Sequence, residues 1–438
     1  MSKFIPLREM PAAAPYKSGD VLVIFGELFS RGYANGIVDE AERAGLKIIR
    51  TTVGRREKDD RLRELNADEL LSQPQPFINV PLEAGFDLEP CTQDGSTPVS
   101  QLAGIKLSEW ENATLDWAKI ASSRERGVLR FRNQVAAYLR ELETHIPKGA
   151  NVIFLHTMAG GVPRAKIIMP IMNRVFKGQG ERHVSSELFW NSELGRLAAM
   201  SFEEVTANTL MHLIDGSQSL RAKIEAGGGS VRYLAYGYHG TEVLIHGEYK
   251  WQTYSPYVQG WAKMLLEDRA SEAWAKGVKA TVYNCPEILT NSSSIFQGVE
   301  LPLYPIMGAM LREGGPQNAK VKSLFAEIKT LLKPEHSIDE ILKLIDEVIV
   351  SEPIQSRCDF EKWPQHNSKE QMELILQTSD KLIEMHCDEK RLLTAILSEE
   401  IFRATGYVMF HDSWSLKTPV CWLGHDLLAR TILSGKTL

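Results

Sequence analysis

Val21-Leu-Val-Ile-Phe25-Gly26-Glu-Leu-Phe-Ser-Arg31-Gly32-Tyr-Ala-Asn-Gly36-Ile37 is the stretch that decides the fold. Five apolar residues, rich in β-branched side chains, stop at a glycine, the pattern of a parallel strand buried on both faces. A glycine-rich turn follows, and Ile37 to Gly45 has helical character with Gly45 as a natural C-cap. Leu46-Lys-Ile-Ile49 then restarts an extended run. Strand, turn, helix and strand within about 30 residues make a βαβ unit.

The alternation continues outward. Asn151-Val-Ile-Phe-Leu155 is another apolar strand, running into the small-residue turn Met158-Ala-Gly-Gly161. A long helical pattern from about Phe202 to Ala226 closes at Gly227-Gly-Gly-Ser230, and Val231-Arg-Tyr-Leu-Ala235 follows as a strand. The next helix spans about Tyr257 to Lys276, and Ala280-Thr-Val-Tyr283 is a further strand. Strands alternating with helices predict an α/β fold with a doubly wound parallel sheet. Residues 337–403 carry apolar residues at helical spacing, and Gly406-Tyr-Val-Met-Phe410 reads as one more strand. Between Ser351 and Lys369 the chain turns polar, contains two prolines and loses periodicity, which marks a loop or the border of an insertion.

Composition bounds the function. The 438 residues are 43% hydrophobic and 24% charged, which supplies a large core and excludes a disordered chain. Lys+Arg 50 against Asp+Glu 56 leaves a formal charge of -6, so nothing overall draws the chain to nucleic acid. The five cysteines (Cys91, Cys285, Cys358, Cys387, Cys421) are far apart, and none sits at zinc spacing with a second cysteine or a histidine. Reduced thiols in a cytoplasmic setting and no metal are expected. No apolar run approaches the roughly 20 residues that span a bilayer, and the first residues lack the apolar segment of a signal peptide.

Three glycines between a strand end and a helix start permit positive φ and close approach of a ligand, while the helix N-terminus offers free N–H groups to a pyrophosphate. The alternative is an ordinary turn with packing glycines. Further on, Tyr254, Tyr257 and Lys263 bracket the start of a helix. A phenol and an ammonium on successive turns can act together, because the cation lowers the phenol pKa and both can bond a cofactor ribose.

The glycine stretch GELFSRGYANGI resembles the GxxxxRSxxxGI turn of the enoyl-acyl-carrier-protein reductases, a divergent branch of the short-chain dehydrogenase/reductase family. The resemblance implies a Rossmann-like sheet and places Gly26, Ser30, Arg31, Gly32, Gly36 and Ile37 around a dinucleotide diphosphate. Past the second strand, Arg50, Arg55, Arg56 and Lys58 lie where such a domain meets the adenosine ribose. Arginine suits a 2′-phosphate and no acid ends that strand, so NADPH is expected ahead of NADH, with Arg55 and Arg56 as its ligands. A solvated basic loop is the alternative. Gly260-Trp-Ala-Lys263 resembles the GLAK end of the family's active-site helix, and eight residues separate Tyr254 from Lys263, the spacing of one enoyl reductase subclass. The commoner subclass has six, a place that Pro256 takes here. Tyr238-His-Gly240-Thr-Glu242 resembles the YxGxE stretch with a second tyrosine. The resemblance therefore implies Tyr254, Tyr238 and Lys263 as catalytic, with Tyr257 as a rival phenol.

Other segments fall in the family's order. His156-Thr-Met-Ala159-Gly160 resembles the loop HSIGFA along the nicotinamide ribose, its imidazole expected to pack or bond a backbone carbonyl. Asn284-Cys-Pro286-Glu-Ile-Leu-Thr290 resembles the GPIRT turn, whose threonine binds the diphosphate. Asn291 to Glu313 is then the substrate segment or, alternatively, buried helix. Ser337-Ile-Asp-Glu-Ile and Thr405 to Asp412 resemble the TIEDV helix and the last strand. The resulting division is a lead-in over 1–19, a Rossmann-like catalytic domain over 20–351, a mostly helical insertion over 352–401, and the last strand with a C-terminal tail over 402–438.

These readings converge on a cytoplasmic NAD(P)H-dependent reductase of a trans-2-enoyl thioester, carried on acyl carrier protein or coenzyme A, in fatty acid synthesis. A basic rim at Arg55/Arg56 or Arg164/Lys166 would suit a carrier protein. A ketone or alcohol dehydrogenase using Thr241 is the second reading, and a catalytically silent dinucleotide-binding module the third. The oligomeric state stays open.

Overall fold

Val21–Phe25 (β1) is wholly buried, and its side chains alternate between two cores: Leu22 and Ile24 join one, Val21, Val23 and Phe25 the other. A strand with apolar partners on both faces must lie inside a sheet covered by helices on both sides. In this computed structural model, which describes residues 6–237, 240–252, 258–290, 298, 300–358 and 365–436, that sheet has seven parallel strands. After β1 come Lys47–Val53 (β2), Phe77–Leu82 (β3), Val152–His156 (β4), Val231–Gly237 (β5), Ala280–Asn284 (β6) and Val420–Trp422 (β7). Their spatial order is β7-β6-β5-β4-β1-β2-β3, every neighbouring pair parallel. The doubly wound Rossmann-like sheet of short-chain dehydrogenase type expected from the sequence is present.

One buried carboxylate, Asp20, ties the amino ends of the central strands together. It accepts from Asn151 N at 2.8 Å and Asn151 Nδ2 at 3.1 Å, while its carbonyl accepts from Lys47 N at 2.9 Å. One sheet face carries Trp117–His145 (α2), Thr209–Gly216 (α4) and Val258–Ala275 (α5); Glu193–Phe202 (α3) leads into α4. The other carries Ala34–Arg43 (α1), Pro305–Gly314 (α6), Leu393–Asp412 (α7) and His425–Leu433 (α8). Gly45, at φ +75, ends α1 as expected. Ser337 caps the helix Ile338–Ile349 by accepting from Glu340 N at 3.1 Å. Among the described residues no helix is long and apolar enough to cross a membrane.

Two expectations are corrected. Gly406–Phe410 is the last part of α7 rather than a strand, and α7 runs straight through residues 401 and 402, where the border of the insertion was expected. Residues 404–410 are all buried, so their unbroken apolar run has the composition of a buried strand while belonging to a buried helix. The last strand is Val420–Trp422 instead. The second correction concerns Phe202 to Ala226: the helical pattern begins at Glu193 and is interrupted by a π-helical segment, Glu203–Asn208.

α1 and α7 cross at two glycines. A Cβ on Gly36 would lie 2.0 Å from the Phe402 carbonyl oxygen, and one on Gly406 would lie 2.0 Å from the Gly36 carbonyl carbon. Ile37 is buried in the same core. Gly36→Ala is therefore expected to lose about 1–3 kcal/mol of stability in urea unfolding. Gly32→Ala, where no atom lies within 4 Å of the new methyl, should change stability by less than about 0.5 kcal/mol. Equal stabilities for the two variants would contradict this packing.

Candidate active site

Strand order reverses between β1 and β4, and a crevice at their carboxyl ends is where such sheets bind ligands. Gly26 leaves β1 with φ +123, and a Cβ there would lie 2.5 Å from Thr157 Oγ1. Thr157 N in turn donates to the Phe25 carbonyl at 2.9 Å. Only glycine fits this contact. Ser30 and Arg31 are exposed beyond it, and Gly32 borders open space. Asn35 Nδ2 holds the turn by donating to the carbonyls of Phe29 at 3.1 Å and Gly32 at 3.0 Å. α1 starts with no side-chain cap and no acid in its first turn; Asn35 N and Gly36 N donate to the Gly32 and Tyr33 carbonyls at 3.3 and 3.1 Å, and the positive end of the helix dipole there suits an anion. These residues fit a dinucleotide diphosphate. Gly36 and Ile37, expected at the same cradle, also pack in the contact with α7.

Opposite this turn, the loop after β4 is held by the π-helical segment. Thr206 Oγ1 donates to the Gly160 carbonyl at 2.8 Å and stands 3.1 Å from Gly160 N. Gly161, at φ +127, lies so close to Phe202 that a Cβ would approach its Cα to 2.7 Å. Ala159 is exposed and Gly160 borders open space, which leaves this backbone accessible. π-helical turns gather at functional sites, yet over so few residues their hydrophobic pattern does not differ from that of an α-helix, so this one is not legible in the sequence.

Lys263 sits in the second turn of α5, on the face that also carries Leu266 and Ala270 toward the sheet, and is 2% exposed. Burial pushes its ammonium down to about 7, with the Cys285 thiol offsetting a small part. His156 lies near enough to feel that charge; burial first, and Lys263 second, push its imidazole down to about 3, so it is neutral at working pH. Its Nε2 is 2.8 Å from Thr209 Oγ1, a packed and bonded histidine whose partner is a hydroxyl rather than a carbonyl. One turn beyond Lys263, Glu267 accepts from Asn284 Nδ2 at 2.8 Å, and the Asn284 side chain closes over Gly237. The carboxyl ends of β4, β5 and β6 thus meet the start of α5 around one buried cation.

Pro286 is buried and Thr290 partly exposed in the loop after β6. Between them, Glu287 is buried, its Oε2 has no hydrogen-bond partner among the described residues, and burial raises its carboxyl to about 8. Tyr238, Tyr254 and Tyr257 lie outside the described residues, as do residues 291–297 of the expected substrate segment. From Leu301 onward the apolar residues of that segment, Leu301, Leu303, Met307 and Met310, are core, in keeping with the buried-helix alternative. Thr241 gives its hydroxyl to the Leu423 carbonyl at 2.6 Å and is fully buried, which removes it as the proton-handling group of a ketone dehydrogenase.

The basic region after β2 differs from expectation. Arg55 pairs with Glu27, Nη2 to Oε1 at 3.0 Å and Nη1 to Oε2 at 3.2 Å, and Thr52 Oγ1 also donates to Glu27 at 3.3 Å. Arg56 binds Glu83, which Arg164 also contacts at 2.7 Å. Arg164 further holds Asp87 through Nη2 at 2.6 Å and Nε at 3.0 Å. These arginines hold Glu83 below the usual carboxylate range in spite of its burial. Neither Arg55 and Arg56 nor Arg164 forms a free basic rim; Lys166 is exposed. The carboxylate at the end of β2 comes from Glu27, just after β1, a pairing across 28 positions that local sequence does not reveal.

Sheet, glycine turn and buried lysine together define a nicotinamide-nucleotide-dependent oxidoreductase of the short-chain dehydrogenase type. More particularly, the chain belongs to the FabMG family of enoyl-acyl carrier protein reductases, whose sequence model matches residues 3–432. An apo FabMG structure, described as a novel type of enoyl-acyl carrier protein reductase, is 47% identical. It covers 99% of this chain and 98% of its own, with a TM-score of 0.94. An NADH-bound FabMG structure is 41% identical over 99% of both chains, with a TM-score of 0.77. No curated protein matches the sequence.

Lys263 yields a stability test. Its folded pKa near 7 lies below the ordinary 10.5, so the unfolded chain binds more protons between those values and stability rises with pH there. Below pH 7 the buried charge exerts its full cost. Lys263→Met should therefore gain stability over the natural chain, most at pH 6 and progressively less toward pH 10, in urea titrations. A difference independent of pH would contradict the buried cation.

Proposed function

We propose that this enzyme uses NADH to reduce the 2,3 double bond of a trans-2-enoyl thioester on acyl carrier protein. The observation that carries the cofactor choice is the Glu27–Arg55 pair: the acid lies at the end of β2, where it can accept from a ribose 2′-hydroxyl and repel a 2′-phosphate. The arginine that would have bound that phosphate is already engaged. The NADH-bound FabMG relative supports the same reading. This replaces the preference for NADPH drawn from the arginines alone.

NADH supplies a hydride to the β-carbon. The electron pair of the double bond then moves to the thioester carbonyl, and the enolate oxygen needs a hydrogen-bond donor. Tyr254, together with Tyr238, donates to that oxygen, and a proton taken from solvent through the phenol ends on the α-carbon. Lys263 holds the nicotinamide ribose and, when protonated, favours the developing negative charge. Gly26, Ser30, Arg31 and Gly32 receive the diphosphate with the N-terminus of α1, and Ala159, Gly160, Pro286 and Thr290 flank the nicotinamide half. The five free cysteines support a reducing, cytoplasmic setting.

Loss of absorbance of the reduced nicotinamide with a medium-chain trans-2-enoyl thioester tests the reaction. NADH should be oxidised only with the enoyl substrate, and a ketone should leave it untouched; oxidation by the ketone alone would overturn the reading. Tyr254→Phe should cut turnover about 10²- to 10⁴-fold while NADH binds almost unchanged. Full turnover would move the role to Tyr257 or remove it. Glu27→Ala should raise kcat/KM for NADPH relative to NADH by about tenfold, roughly one charge-assisted hydrogen bond. An unaltered ratio would show that the Glu27 carboxylate does not read the ribose.

A further inference from the structure

The lead-in before β1 reaches across the sheet to the segment that carries the proposed tyrosines. Leu7 N donates to the Trp422 carbonyl at 2.8 Å, and Pro6 bridges Trp422 in parallel, so this end of the chain lies along β7. The next residue, Arg8, grips Glu242 with both arms of its guanidinium, Nη1 to Oε2 at 2.5 Å and Nη2 to Oε1 at 3.1 Å. Nη1 also donates to Asp426 Oδ2 at 3.1 Å on α8. Arg430 secures the backbone beneath by donating to the Arg8 carbonyl at 2.6 Å, and it bonds Asp426 as well at 3.2 Å. Glu242 and Asp426 are buried, whereas Arg8 is 48% exposed. Among the described residues Glu242 forms no ion pair except the one with Arg8.

Glu242 belongs to an antiparallel ribbon, Thr241–Ile245 with Glu248–Gln252, closed by His246 and Gly247 at positive φ. Thr241 pairs with Gln252 and Glu242 with Trp251, so the two strands are in register at the open end. Tyr238 precedes Thr241 by three residues, and Tyr254 follows Gln252 by two. Both proposed tyrosines thus lie within three residues, along the chain, of the open end of the ribbon, and Arg8 is bound to that end. A bidentate arginine fixes both the distance and the plane of the carboxylate it holds. Without it a buried carboxylate is left uncompensated, and that end of the ribbon is free to move toward water.

We infer that Arg8 is a positioning residue for the reduction, clamping through Glu242 the end of the ribbon from which the chain continues to Tyr238 and Tyr254. This rests on the tyrosine roles proposed above. Steady-state kinetics on the full-length Arg8→Ala enzyme should show kcat for the enoyl thioester down about 10- to 100-fold, since a misplacement of about 1 Å costs that much, with the Kd for NADH unchanged. Guanidinium ion added to the assay should restore part of the lost kcat, because the vacated place is half open to solvent. Arg8→Lys keeps the charge without the fork and should show a smaller loss; it serves as the variant if Arg8→Ala does not fold. Full turnover in Arg8→Ala, or a parallel loss of NADH binding without guanidinium rescue, would overturn the inference. Tyr254→Phe and Tyr238→Phe assayed alongside separate the two claims. If both retain full turnover, the tyrosine roles fall and this inference with them; if they are slow while Arg8→Ala is fully active, the inference falls alone.

Discussion

Everything functional in this molecule depends on how closely β1 and β4 approach at the point where the strand order reverses. Backbone hydrogen bonds hold the two strands in register from Val21 to Phe25, and Gly26 then passes Thr157 with no room for a side chain. Because the strand turns away there without a Cβ, the turn over residues 27–33 and the loop over 158–161 open in opposite directions. At that opening stands the start of α1, without a side-chain cap or a first-turn acid, and its dipole suits an anion. Asp20, at the other end of the same strands, keeps their starts level, so the register that creates the crevice is fixed at both ends.

Into the neighbouring ends of β4, β5 and β6 the fold inserts a charge that water would otherwise solvate. Lys263 is carried there by an apolar helix face, within electrostatic reach of a neutral histidine and a buried thiol. A buried ammonium of this kind exists at a cost in stability, and such costs concentrate at functional sites. Its pKa near 7 makes the charge responsive to what binds beside it: ribose hydroxyls and a developing enolate would both favour the protonated form. The carboxylates nearby are arranged otherwise. Glu267 accepts from Asn284, and Glu287, whose own pKa is raised to about 8, remains neutral at pH 7.

The sheet was legible in the sequence because each of its central strands is a short apolar run ended by glycine or polar residues, a pattern that burial on both faces imposes. Gly26 could be picked out because glycine alone satisfies the backbone at that strand end, and Lys263 through the resemblance of Gly260-Trp-Ala-Lys263 to the family's helix end; the burial of Lys263 was not legible. The packing role of Gly36 was hidden because a glycine in the first turn of a helix serves ligand approach and helix crossing equally well, and its partner, Gly406, is 370 positions away. The same crossing hides the nature of residues 406–410: a helix buried on all sides has no polar stripe to betray its period. Arg55 and Arg56 looked free for a phosphate because their carboxylate partners, Glu27 and Glu83, come from other strand ends. Arg8 lay in a lead-in without periodicity, and only the fold brings it beside Glu242.

The reaction itself is tested most directly by following the label of NADH deuterated at the transferred position of nicotinamide C4 into the product. With a trans-2-enoyl thioester, mass spectrometry of the saturated acyl chain should find one deuterium, on the β-carbon, and the α-hydrogen drawn from solvent. A saturated product without label, or with the label on the α-carbon, would contradict hydride delivery to the β-carbon and with it the roles given to the residues around Lys263.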